Sequence, residues 1–103
     1  MKFLITVSLS NDAANESVRS GELGNIIQNI LEDVKPEAAY FGAKDGMRTA
    51  FLIVDLEEAS QIPAVAEPFF LAFNASIDIT PVMVPEDLGK AGPAIGNAAK
   101  NFG

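Results

Sequence analysis

In "KFLITVSL", Phe3, Ile5, Val7 and Leu9 alternate with Lys2, Leu4, Thr6 and Ser8, and this period of two predicts a strand. From Ser10 the chain turns to Asn, Asp, Ala, Glu and Ser, residues suited to a helix start. Leu23, Ile26, Ile27, Ile30, Leu31 and Val34 then recur at helical spacing and predict an amphipathic helix over 22–34, ended by Pro36. "AAYF" opens a second strand, and Asp45-Gly46 marks a two-residue hairpin turn. If Lys44 pairs with Met47, Tyr40 lies opposite Phe51 and Phe41 opposite Ala50. After "TAFLIVDL", the positions Ile62, Val65, Ala66, Phe69, Phe70 and Phe73 suit one face of a second helix. Ser60 is its candidate cap, Pro63 falls in its first turn, and Pro68 is expected to kink or break it. "ASIDITPVMV" alternates again, with Pro81 marking an edge strand or a bulge.

The resulting order is β-α-β-β-α-β in a single domain spanning 1–103. It predicts an α+β, ferredoxin-like fold, a four-stranded antiparallel sheet with two helices on one face. In "AFLIV", however, Phe51 and Ile53 point one way and Leu52 and Val54 the other. Helices on one side leave the second face uncovered, and an apolar patch of that size is expected to find a partner, here a second copy of the chain. In the tail over 85–103, Gly89, Gly92, Gly96 and Pro93 argue against a long independent helix, though a turn or two is expected at each of "EDL" and "AIGNAAKNF". Leu88, Ile95 and Phe102 are its large anchors, and the tail is expected to pack on the partner subunit.

Composition narrows the chemistry. The chain has no Cys and no His, so disulfides, thiolate metal sites, His-dependent triads and the usual haem ligand are excluded. Any chemistry must use carboxylates, Lys, Arg, Tyr or hydroxyls, and no cofactor is expected. A net charge of −7 with scattered Lys and Arg speaks against nucleic acid. Thr6 and Ser8 interrupt the apolar start, so no secretory leader is expected, and no run approaches the roughly 20 apolar residues of a membrane span. The expected location is the cytoplasm.

The stretches "KPEAAYF", "DGMRTAFLIVDL", "IPAVAEPFFLAF" and "PVMVPEDLGKAG" together resemble a group of small, uncharacterised bacterial proteins placed with the dimeric α+β barrels. That resemblance implies two sheets packed through their open faces, often with exchanged C-terminal segments. Activities known in the superfamily include cofactor-free oxygenation, lactone isomerisation, haem degradation and chlorite dismutation. The haem branches usually present a His to iron, and this chain has none.

Three residues are candidates for catalysis: Tyr40 as hydrogen-bond donor, Arg48 as anion holder and Asp78 as base. Against this, Tyr40 packing on Phe51 and Arg48 standing in water would serve structure alone, and the hairpin register points the two side chains to opposite faces. Thr6, Ser8, Asp78 and Thr80 could form the polar floor of a pocket, or simply the polar face of an edge strand. Phe69, Phe70 and Phe73 could line an apolar pocket where Pro68 opens a gap between helix and sheet, or be plain core. "SGELG" reads as a helix break or an entrance loop more readily than as an anion site, and Asp55, Glu57 and Glu58 as a helix-start signal more readily than as metal ligands. The function expected from these residues is the binding or cofactor-free transformation of a small apolar or aromatic molecule. The alternative is a non-catalytic interaction or ligand-sensing module.

Overall fold

Strand β1 (Lys2–Ser8) leads into helices α1 (Asn11–Ser20) and α2 (Leu23–Val34). The hairpin of β2 (Ala38–Lys44) and β3 (Met47–Asp55) comes next, then helix α3 (Ile62–Phe73), strand β4 (Ser76–Pro81), and helices α4 (Pro85–Lys90) and α5 (Gly92–Phe102). These elements come from a computed structural model that describes residues 1–103. The four strands form one antiparallel sheet in the order β2-β3-β1-β4.

The hairpin has the register its turn predicts: Lys44 opposes Met47, Phe41 opposes Ala50 and Tyr40 opposes Phe51. Asp45 and Gly46 take φ of 54° and 76°, the two positive values a two-residue turn needs to match the twist of its strands. Pro81 closes β4, an edge strand paired only with β1, as befits a residue without an N–H to donate.

The first crossover differs from expectation. The segment before residue 22 is a helix of its own, and Gly21 at φ 80° ends it. Its N–H donates to the carbonyl of Val18 at 3.1 Å while that of Glu22 donates to Ser17 at 2.9 Å, the double closure that a left-handed glycine permits. "SGELG" is therefore the joint between two helices. Ahead of α3, a 3₁₀ turn over Ala59–Gln61 takes the place of a Ser60 cap. The Gln61 side-chain oxygen reaches back to accept from the N–H groups of Glu57 at 2.7 Å and Glu58 at 3.0 Å. Pro68 lies inside α3 without breaking it; its neighbours Val65, Ala66 and Phe69 are buried, and that packing outweighs the lost hydrogen bond.

Strand register sorts the sheet into two faces. Ile5, Val7, Leu52 and Val54 are buried and share one of them. They form a single core with Ala14 of α1, Ile30 of α2, and Val65, Phe69 and Phe73 of α3. Leu4, Thr6, Phe51 and Ile53 alternate with these and are only half-buried, and none belongs to the core. This second face is the open one.

The C-terminal helices leave the body of the molecule. Every residue of α4 and α5 is exposed, and the whole chain measures 59 × 27 × 20 Å with a radius of gyration of 17.2 Å. A compact chain of this length would have a radius of about 13 Å. The helix predicted as a turn or two is 11 residues long in α5, so the glycines of the tail do not prevent a helical arm.

Candidate ligand cavity

At the hairpin end of the core face, the sheet and its helices stand apart and enclose a cavity of about 270 Å³. Its lining comes from four directions: Leu9 just after β1, Leu23 and Ile27 of α2, Phe69 of α3, and Phe41, Gly42, Arg48, Thr49 and Ala50 of the hairpin strands. A small residue, Ala50, helps to make the space. Ala50 sits between Phe41 and Val7 in the register, and a strand methyl cannot fill the gap to an overlying helix. Gly42 pairs with Thr49 in a row of the open face and borders the cavity with its backbone alone. Phe41 shows how incompletely the helices cover this corner: it lies on the core face and is 56% exposed.

Polar groups are few in this cavity. Thr49 is buried and its hydroxyl donates to the Met47 carbonyl at 3.0 Å, so its hydrogen-bonding capacity is already engaged within its own strand. Arg48 is the one charged lining residue. Its guanidinium donates to Asn15 Oδ1 of α1 at 2.8 Å, and it takes part in no ion pair. Asn15 thus orients the planar fork and leaves its charge uncompensated.

The three catalytic candidates do not converge. Tyr40, Phe51, Thr6 and Asp78 form one row across the sheet, so Tyr40 and Asp78 share the open face but stand three strand spacings apart, about 14 Å. Tyr40 is 68% exposed, and Asp78 is exposed as well. Arg48 lies on the other face. Thr6 and Ser8 are half-buried and Thr80 is exposed; with Asp78 they make the polar part of the open face, and none of them lines a cavity. Of the three phenylalanines only Phe69 reaches the cavity. Phe73 is wholly buried in the core, and Phe70, turned about 100° further round the helix, is 42% exposed.

Sequence reasoning did not assign Leu9, Leu23, Ile27, Phe41, Gly42 or Ala50 to the site. A signal was present at one of them: Ala50 is a small residue in a strand, β3, whose other core-facing positions include Leu52 and Val54, and a small residue under a helix leaves room.

Charged contacts at the opposite end of the sheet fasten strand ends. Lys2 donates to both carboxylate oxygens of Glu37, at 2.6 and 2.7 Å, and this hydrogen bond raises its pKa above the ordinary lysine value. The N-terminal amine lies 2.7 Å from Asp55 Oδ1; its hydrogen bond holds that carboxyl below the usual carboxylate range. No group of three or more carboxylates is placed to hold a metal ion, and no helix is long and apolar enough to cross a membrane. The chain matches no family model and no curated protein sequence.

Proposed function

We propose that this chain is a cytoplasmic, homodimeric, ferredoxin-like α+β barrel protein that binds a small apolar or aromatic molecule without a cofactor. The carrying observation is the cavity itself, apolar on most of its wall and open beside Phe41 and Arg48. Small-molecule sites are concave, mostly apolar and carry few oriented polar groups. The barrel reading is supported by the order of strands and helices, with both longer helices on the core side, and by the half-buried apolar row Leu4, Phe51 and Ile53 on the other. A second copy facing that row would remove it from water.

Between binding with chemistry and binding alone, the separation of Tyr40, Arg48 and Asp78 favours the second. A reacting atom needs its acid, base and anion holder within hydrogen-bond reach together. A ligand-sensing module has no such requirement.

An amide-resolved NMR titration with indole, a neutral aromatic probe, tests the site. The expected result is saturable shifts clustered at Ile27, Phe41 and Phe69, abolished by Ala50→Leu, which adds three carbons to the cavity wall. Shifts confined to Phe51, Ile53 and Tyr40, or none at all, would move the site or remove it. Retained far-UV circular dichroism shows that the variant remains folded.

A further inference from the structure

We infer that the cavity selects small carboxylates with an apolar body, an alkanoate or aryl-alkanoate of about ten heavy atoms, held head-first at Arg48. This rests on the reading of the cavity as a ligand site and names the chemistry of its ligand.

Three observations lead to it. The wall is apolar apart from one cation and Thr49, whose hydroxyl already donates to Met47, so the ligand's body is hydrocarbon and its charged end has a single place to go. That cation is already oriented: Asn15 Oδ1 fixes the guanidinium at 2.8 Å and is neutral, so the positive charge is left without a counterion. The chain as a whole carries −7; Lys2, Lys44 and Lys90 are paired with Glu37, Asp45 and Glu86, and of the unpaired cations Arg19, Lys35, Arg48 and Lys100 only Arg48 lines a cavity. An unpaired arginine fixed beside an apolar cavity in an acidic protein is a place where one negative charge is accepted.

Geometry selects among anions. A guanidinium offers parallel N–H donors that match the two oxygens of a carboxylate. One such group balances one charge, whereas a phosphate monoester brings nearly two. The cavity volume of about 270 Å³ is that of about nine water molecules at ~30 Å³ each, room for a chain such as octanoate. Bound in this way, the alkyl chain would lie against Leu23, Ile27 and Phe69 and cover the exposed ring of Phe41. Apolar contact holds the body in place, and the charge pair sets which end faces out.

Calorimetric titration of the full chain with octanoate and with its neutral counterpart 1-octanol separates the two contributions. Octanoate is expected to bind at least about tenfold more tightly than octanol. Arg48→Gln is expected to erase that preference, octanoate losing far more affinity than octanol, with retained far-UV circular dichroism showing that the variant is folded. Equal affinities in the parent protein would overturn the carboxylate assignment and leave the cavity reading standing. So would an equal loss of both ligands in Arg48→Gln. Failure of both probes to bind the parent protein would overturn the cavity reading and this inference with it.

Discussion

Adjacent residues of β3 have opposite duties. Leu52 is wholly buried in the core, whereas Ile53 is half-buried on the open face. Leu52→Ala leaves a cavity among Ile5, Val54 and the residues of α3, and such truncations cost about 2–5 kcal/mol. Ile53→Asp removes an apolar side chain that has no core partner in its own chain, so the isolated fold should lose much less. Urea denaturation of the two variants checks this: the midpoint should fall sharply for Leu52→Ala and little for Ile53→Asp. A comparable fall for both would mean that the open face is held by its own chain.

Among the elements, α3 carries the clearest conflict between propensity and packing. An interior proline removes one backbone hydrogen bond and crowds the preceding turn, at a cost of about 3 kcal/mol in an exposed helix. Pro68 is half-buried beside Ala66 and Phe69, and the helix continues past it to Phe73. Pro68→Ala is expected to restore the bond and raise the thermal midpoint. A lower midpoint would show that the ring's contacts outweigh the bond. The same competition explains what the sequence made legible. Strand alternation, the Asp45-Gly46 turn and its register could be read because local geometry decides them. Pro68 misled because a local rule yielded to the core around Val65 and Phe69. Helix α1 was hard to see because Ala14 is its one buried residue, too little to produce an apolar stripe. The cavity was hidden for a related reason: it depends on how α2 lies over the hairpin strands, and Ala50 matters there by what it lacks. Arg48 was legible as a candidate residue and does line the cavity, but the orienting contact with Asn15 spans 33 positions and has no signature in either segment.

At the scale of the whole molecule, shape is the main feature. A radius of gyration of 17.2 Å against about 13 Å for a compact chain of this size places α4 and α5 well outside the body. Leu88, Ile95 and Phe102 on this arm are 52%, 55% and 91% exposed. If the open face and the arm both meet a second copy, light scattering at micromolar concentration should report a dimer, and deletion after Glu86 should weaken it without unfolding the sheet. A monomer in the parent protein, or a truncated chain that associates as tightly, would contradict this arrangement.

The arm has one more consequence. Isolated helices shorter than about 12–15 residues are marginal in water, and α5 has 11 residues, two of them Gly92 and Gly96, with none buried. Its own chain supplies little to hold it, so its order must come from whatever it lies against. If that is a second copy of the chain, folding of the last fifth of the polypeptide is a second-order process, with a midpoint in protein concentration as well as in temperature. Dilute chains would carry a frayed, protease-sensitive tail, and crowded ones a finished helix, so that abundance itself would set how much of the protein is folded.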